Sequence, residues 1–203
     1  QVRVQARVRG PLADALGYVN GSPVGTMLGQ SLARATGSGP ADVDLGLVLP
    51  VTALDRAQVQ GTVTLAGNEL QVMPDTPVLT RVRGAVSFHE RGFQLAGVQA
   101  RALGGDLRLE GGTRPGEGAE PPAVLVRAQG IATAEGLRQA RELGFVARLA
   151  RDFSGSAAYT MTLGIRRGHP ELLVTSNLQG LGIQLPAPLN KPADAALPLR
   201  YEN

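Results

Sequence analysis

The sequence predicts a mainly β protein made of antiparallel strands with a few short helices. Apolar and polar residues alternate along most of the chain, as in Val2, Val4, Ala6 and Val8, which are separated by Arg and Gln. This period of two is typical of strands with one apolar and one polar face. The segments between such strands are short and rich in Gly, Pro and Asn, which favours antiparallel neighbours joined by tight turns.

A third observation is an approximate internal repeat. The first copy contains Leu32-Ala33-Arg34, Ser38-Gly39, alternating Val43, Leu45, Leu47 and Leu49, and a later run from Leu70 to Pro74. The second copy contains Leu149-Ala150-Arg151, Ser154-Gly155, alternating Tyr159, Met161, Leu163 and Ile165, and a later run from Leu181 to Pro186. Repeated units of this kind stack because one unit cannot bury its apolar face alone. We therefore expect two units, residues 1–130 and 131–203, with one helical segment each.

In the first unit, a strand over residues 2–9 precedes a helical segment over 11–35. Pro11 suits a first helical turn, Gly17, Asn20 and Gly21 interrupt it, and Ser22-Pro23 starts an amphipathic helix over 24–35. The segment 66–69 is expected to be a hairpin turn, and 111–122 a loop. Strands are predicted over 42–49, 59–65, 70–73, 79–88, 93–101 and 106–110.

In the second unit, Thr133 is predicted to cap a long helix that ends near Arg151. Gly39 and Gly155 each follow a predicted helix, so we expect them at its C-terminal cap. A turn is predicted over 167–170. Strands are predicted over 124–129, 155–166, 171–177, 180–185 and 195–201.

Composition narrows the classes of function. The chain has no Trp and only seven Phe and Tyr residues, so its apolar surface is mainly aliphatic. Such a surface suits contact with hydrocarbon better than stacking on sugars or bases, although a plain aliphatic core has the same composition. The net charge is +3, and the basic residues are spread at strand spacing without interleaved aromatics, which argues against nucleic-acid binding. The absence of Cys excludes thiol chemistry and disulfides.

No catalytic constellation is evident. His89 and His169 fall in predicted turns without further metal ligands, and no base accompanies the Ser-Gly steps. The acidic pairs are Asp42 with Asp44, on the polar side of a strand, and Glu117 with Glu120, in the predicted loop. The sequence therefore predicts a protein that is not an enzyme and needs no metal or cofactor. The proline-rich segment 185–192, which contains the only Lys, is interpreted as a rigid crossover, with partner docking as an alternative.

Several motifs resemble a known family. They are Thr133-Ala134-Glu135-Gly136-Leu137, the segment 153–159, Ser176-Asn177-Leu178-Gln179-Gly180-Leu181 and the segment 185–192, preceded by Gly61-Thr62-Val63, the segment 84–88 and Ala102-Leu103-Gly104-Gly105. Together they resemble YhdP-type proteins, the large AsmA-like proteins of Gram-negative envelopes. The resemblance extends over nearly the whole chain.

The resemblance implies an elongated, curved β-groove lined with apolar side chains, of the kind found in bridge-like lipid transfer proteins. It implies a periplasmic location, a longer parent protein anchored in the inner membrane, and a role in phospholipid transfer and the outer-membrane permeability barrier. No transmembrane run is present and the chain begins within a strand, so we expect an internal fragment. The implied partners are phospholipid acyl chains, the rest of the same chain and envelope proteins.

Strand phase assigns the groove lining. We expect it to include Val43, Leu45, Leu47, Leu49, Val63, Leu65, Val82, Val86, Tyr159, Met161, Leu163 and Ile165, continued by Leu181, Ile183 and Leu185. Alternation alone does not separate an open groove from a sheet closed on its own helices. The alternative function is therefore a structural module of the envelope that binds protein partners and no lipid.

Overall fold

The computed structural model describes residues 2–21, 32–49, 58–89, 91–114, 123–166 and 169–202. Within them the chain forms mainly strands, with a few short helices. The strands are β1 (Val2–Pro11), β2 (Thr36–Ser38), β3 (Pro40–Leu49), β4 (Gln58–Gln71), β5 (Leu79–His89), β6 (Gly92–Ala102), β7 (Gly105–Arg114), β8 (Ala123–Thr133), β9 (Phe153–Arg166), β10 (His169–Ser176), β11 (Leu181–Ile183) and β12 (Leu199–Glu202). The helices are α1 (Leu12–Asn20), α2 (Ala134–Gln139) and α3 (Phe145–Leu149), with single 3₁₀ turns at Arg141–Leu143 and Ala150–Asp152.

The strands form one antiparallel sheet in the order β1-β3-β4-β5-β6-β7-β8-β9-β10-β12. From β3 to β10 each strand lies beside the next one along the chain. Most of the described connections are short turns, as in a meander, whereas β8 and β9 are joined by the helical segment 134–152. β2 pairs with the end of β4, and β11 pairs with the start of β9. The sheet is curved and open, with β1 and β12 at its two edges. The predicted mainly antiparallel, curved β-structure is confirmed.

The register places apolar residues on one side of the sheet. Val43 pairs with Val8 and Val63, and the row continues across the sheet through Val86, Leu95, Gly111, Val126, Leu163 and Leu172. The next row along the strands contains Arg7, Asp44, Thr62, Ser87 and Gln94. Successive residues of a strand point to opposite faces. We call the side of the Val43 row the apolar face and the side of the Asp44 row the polar face.

Helix α1 packs on the apolar face. Leu12, at its start, is buried in a cluster with Ala41 and Leu65, whereas Val19, near its end, packs against the cluster of Val124, Val126 and Ile165. About 10 Å of helix axis separates residues 12 and 19. In a flat sheet β4 and β8 would lie roughly 19 Å apart. Contacts at both ends of so short a helix therefore fit a sheet that curves around it.

The predicted hairpin turn at residues 66–69 is wrong, because β4 continues through it. The pairing of β4 with β5 shifts on either side of Asn68, and Gly67 has φ = +121°. The buried Asn68 amide donates to the carbonyls of Ser38 (3.0 Å) and Pro40 (2.9 Å), and its oxygen accepts from the Ala66 N–H (3.1 Å). A β-bulge held by a side chain thus replaces the expected turn.

The single long helix predicted over 133–151 is also wrong. Thr133 does cap α2, its hydroxyl accepting a hydrogen bond from the Gly136 N–H at 2.9 Å. Gly144, with φ = +53° and ψ = −103°, then turns the chain between the first 3₁₀ turn and α3. Neither that conformation nor the ψ of +71° at Ala140, where α2 ends, is compatible with an α-helix, so the segment is divided into short pieces.

The expected helix C-caps at Gly39 and Gly155 are wrong as well. Both residues have positive φ (+89° and +81°), but Gly39 lies between β2 and β3, and Gly155 lies inside β9. Two predicted strands are shorter than expected, since β11 covers only residues 181–183 and β12 begins at Leu199. Most of the predicted helix 24–35 and most of the loop 111–122 lie outside the described residues, although β7 extends to Arg114. The division into two units at residue 130 remains a prediction.

Candidate functional site: the apolar face

The predicted lining residues of the central strands share the apolar face. Val43, Leu45 and Leu47 lie on it in β3. The row of Val43 also contains Val63 of β4, Val86 of β5 and Leu163 of β9. Tyr159, Met161 and Ile165 follow in β9, at every second residue. Leu65 and Val82 belong to one buried cluster beneath α1. Leu49 pairs with Val2 on the same side, and its side chain lies outside the described residues.

Further members of this face were not predicted from the sequence. They come from the middle strands and from β10, and they are Phe88, Phe93, Leu95, Leu109, Val124, Val126, Leu172 and Val174. The signal that identifies them is the same period of two, present over 93–95, 107–109 and 124–128. The apolar face therefore extends across the strands of the sheet rather than forming two separate patches.

Burial is uneven across the apolar face. At the end of the strands beneath α1, Ala41, Leu65 and Val82 are 1%, 7% and 2% exposed. Along the β1 edge, by contrast, Val4 and Val8 are 43% and 55% exposed although they point to the same side. Leu199 and Tyr201 are also exposed at the opposite edge, in β12. Helix α1 thus covers the middle of the apolar face, from Leu65 in β4 to Val126 in β8, and leaves aliphatic surface accessible at the edges.

The last three predicted lining residues lie in a different environment. Leu181 and Ile183 are buried in a separate cluster with Ala134 of α2 and Ala157 of β9, and Leu185 packs against the same cluster. This cluster is covered by the protein itself. These three side chains therefore contribute to packing and leave little surface for a ligand.

Lys191 stabilises the segment around this buried cluster through hydrogen bonds. It is 8% exposed, and its ammonium donates to the carbonyls of Leu178 (2.9 Å), Leu181 (2.5 Å) and Pro192 (3.0 Å). Its own backbone N–H and carbonyl also pair with Ile183. The structure thus uses the only lysine of the chain as an internal clamp, which supports the interpretation of 185–192 as a rigid crossover.

The polar face near β1 carries exposed ion pairs. Arg7 Nε lies 2.6 Å from the Asp44 carboxylate, and Arg9 Nε lies 3.7 Å from that of Asp42. The hydrogen bond and charge of Asp44 raise the pKa of the Arg7 guanidinium above its ordinary value. Because these pairs are exposed to solvent, they contribute little to stability. The predicted placement of both aspartates on the polar side of a strand is confirmed.

Groups with acid–base potential are isolated from one another. Tyr159 lies partly buried on the apolar face, and burial raises the pKa of its hydroxyl, which keeps it neutral. His89 is exposed at the end of β5, where its Nδ1 accepts from the Arg91 N–H at 3.1 Å. Across the described ranges, no three His, Asp or Glu side chains converge in a way that could hold a metal ion. Glu117, Glu120 and the side chain of His169 lie outside those ranges.

Within the part of the chain that the structure describes, no helix has the length and apolar character needed to span a bilayer. The arrangement is thus an apolar sheet face with accessible edges. It offers contacts distributed over many aliphatic side chains.

Comparisons with known proteins give one match. A family model described as "YhdP protein" matches residues 1–203. No curated protein and no solved structure matches the chain.

Proposed function

The chain belongs to the YhdP family, a lipid-transport family, and we propose that it is a non-catalytic segment of a phospholipid-transfer bridge. In this proposal the apolar face holds acyl chains and passes them along the sheet without chemical change. The parent protein spans the periplasm from an anchor in the inner membrane and supports outer-membrane lipid homeostasis and the permeability barrier. Its partners are phospholipids, the remainder of the same chain and envelope proteins.

The observation that supports the proposal best is the incomplete cover of the apolar face. Val4, Val8 and Tyr201 expose apolar surface on the side where α1 packs, at both edges of one sheet. Apolar surface left exposed in this way marks a site for an apolar partner. An acyl chain suits such a surface, because the burial of each methylene group contributes about 0.8 kcal/mol whatever the orientation of the acyl chain. Because these contacts have no preferred direction, the acyl chain can slide along the apolar face.

A structural envelope module remains the second candidate. The observation that favours it is that α1 fills the middle of the apolar face, burying Leu65 and Val82 with protein side chains. If protein covers the rest of the face in the same way, the segment would bind protein partners and no lipid.

Charge substitutions on the apolar face separate the two candidates. Leu45, Leu47 or Met161 is exchanged for Asp or Arg in the parent protein, and Thr160→Asp, an exposed neighbour on the polar face, serves as the matched control for Met161→Asp. Lipid transfer should fall with the apolar-face variants and persist with the control, because a charge among acyl chains is strongly disfavoured. Circular dichroism of the isolated chain establishes that each variant is folded.

Normal transfer by folded apolar-face variants would contradict the lining assignment. Native mass spectrometry of the unaltered chain provides a second readout. Co-purifying phospholipid supports the bridge, whereas its repeated absence favours the structural module.

A further inference from the structure

A depression on the polar face gathers positive charge. It has a volume of about 620 Å³ and extends across β5, β6, β7 and β8. Its side chains include four arginines and two glutamines, namely Arg81, Arg83, Arg101, Arg108, Gln99 and Gln129. It lies on the side of the sheet opposite the proposed lipid-binding face, so it is separate from that function.

The strand register brings these side chains together. Gln99 of β6 pairs with Arg83 of β5 on one side and with Arg108 of β7 on the other, and Arg108 pairs in turn with Gln129 of β8. Arg83 and Arg108 are therefore two strand spacings apart, about 10 Å between backbones. Long side chains can converge over the glutamine between them. Arg101 stands two residues further along β6.

Two irregularities shape the depression. Arg81 has φ = +53° beside a register shift in β5, and Gly97 has φ = +67° beside a shift in β6. At Gly97 a Cβ atom would lie 2.7 Å from Nη2 of Arg108, so the guanidinium occupies the space of the missing side chain. The bulge thus lets the Arg108 guanidinium lie against the strand backbone, which limits its conformational freedom before any ligand binds.

The charge is poorly neutralised. Asp106 pairs with Arg101 at 3.3 Å, but among the described residues no carboxylate pairs with Arg81, Arg83 or Arg108. Arg7 and Arg9, on the same face of the same sheet, each have an aspartate in register. Like charges held together without counter-ions repel one another, and an anion between them relieves that repulsion.

We propose that this depression binds a phosphate group. Guanidinium groups bind phosphate oxygens with two parallel hydrogen bonds, and three unpaired guanidiniums match a multiply charged anion with several oxygens. The amide groups of Gln99 and Gln129 supply further neutral donors. The phosphate belongs either to a lipid headgroup at a membrane surface or to a soluble phosphate compound.

The test uses two charge-matched variants of the 203-residue chain. Arg83→Gln with Arg108→Gln removes two unpaired arginines, and Arg7→Gln with Arg9→Gln removes two paired ones from the same face. Each lowers the formal net charge from +3 to +1. Arg83→Lys with Arg108→Lys keeps the charge but lacks the planar fork. Thermal unfolding confirms that each variant folds.

Binding of pyrophosphate is measured by calorimetry at low salt, and binding of phosphatidylcholine vesicles with and without phosphatidylglycerol by sedimentation. We expect the Arg83/Arg108 glutamine variant to weaken binding of at least one probe about tenfold or more, the equivalent of one charge-assisted hydrogen bond. The Arg7/Arg9 variant should bind like the unaltered chain, and the lysine variant should be intermediate.

The probes distinguish the source of the phosphate. Binding of phosphatidylglycerol vesicles without pyrophosphate binding assigns a lipid headgroup, and pyrophosphate binding alone assigns a soluble compound; competition between the two assigns a site for either. Equal loss in the two glutamine variants would show that net charge alone acts and would overturn the proposal. So would binding of neither probe to the unaltered chain.

Discussion

Two buried polar side chains hold the chain where its predicted repeats begin and end. Asn68 donates to the carbonyls of Ser38 and Pro40, beside Gly39. Lys191 donates to the carbonyls of Leu178 and Leu181, which flank Gly180, and the Gly180 carbonyl accepts the Ser156 N–H next to Gly155. Each Ser-Gly step therefore lies close to a backbone segment that is held in place by the hydrogen bonds of one buried side chain. At both glycines an added Cβ atom would come close to a polar atom. The distance would be 3.0 Å to Nδ2 of Asn68 at Gly39, and 2.2 Å to the carbonyl oxygen of Gly180 at Gly155.

Replacing Lys191 tests whether this single buried side chain stabilises the fold. Lys191→Met keeps the aliphatic stem but removes the ammonium donor from three carbonyls, two of which still accept a backbone N–H. Because these buried, charge-assisted hydrogen bonds are lost, we expect the free energy of unfolding to fall by about 1.5–3 kcal/mol. Urea denaturation measures it, with Asn190→Ala at the exposed neighbouring residue as the control, expected within about 0.5 kcal/mol of the unaltered chain. An equally small effect of Lys191→Met would show that the ammonium is not a clamp.

At the scale of elements, the sequence predicted strands better than their interruptions. The period of two in β3, β5, β8 and β9 is visible without any structure, because one face of each strand is apolar. The bulge at Asn68 could not be foreseen, since Ala66-Gly67-Asn68-Glu69 has the composition of a turn. What overrides that signal is a tertiary contact with Ser38 and Pro40, some 30 residues away.

The broken helix has a similar cause. Residues 133–151 carry a helical apolar pattern, but Gly144 adopts a backbone conformation outside the helical region. A glycine within a helical pattern is compatible with either outcome, so the sequence does not decide between them. The sequence likewise does not predict which apolar residues of the sheet are exposed, because those covered by α1 and those at an open edge show the same alternation.

Two glycine-to-alanine substitutions test this account of the helices. Gly144→Ala should lower the free energy of unfolding by about 1–3 kcal/mol, because φ = +53° with ψ = −103° is strained for alanine. Gly17→Ala, inside α1, should raise it by about 0.5–1 kcal/mol through helix propensity. A Cβ atom would have open space at both positions, so steric clash does not enter the comparison.

Chemical denaturation of both variants measures whether each substitution lowers or raises the free energy of unfolding. If Gly144→Ala were instead stabilising, the segment 133–151 would prefer the continuous helix that the sequence pattern predicts. The break at Gly144 would then not be a stable feature of the fold.

At the scale of the whole molecule, the sheet separates two surfaces of different chemistry. The apolar face carries aliphatic rows from Val8 across Val43 to Leu163. The polar face carries arginines that pair with aspartates near β1, and arginines in β5 and β7 that have no carboxylate partner among the described residues. The sequence predicted the first surface through alternation. It did not indicate the second, because the arginines that meet there come from three strands that only the register brings together.

The central claim is that lipid contacts the apolar face, and site-specific photocrosslinking in the parent protein tests it most directly. A photoreactive phenylalanine analogue is placed at Val8 and at Leu45, and for comparison at their neighbours Arg7 and Asp44, which point to the polar face. After irradiation in cells, adducts are identified by mass spectrometry. The account predicts phospholipid adducts at Val8 and Leu45 and few or none at Arg7 and Asp44. Equal labelling of the two faces, or no lipid adduct at Val8 and Leu45, would contradict it.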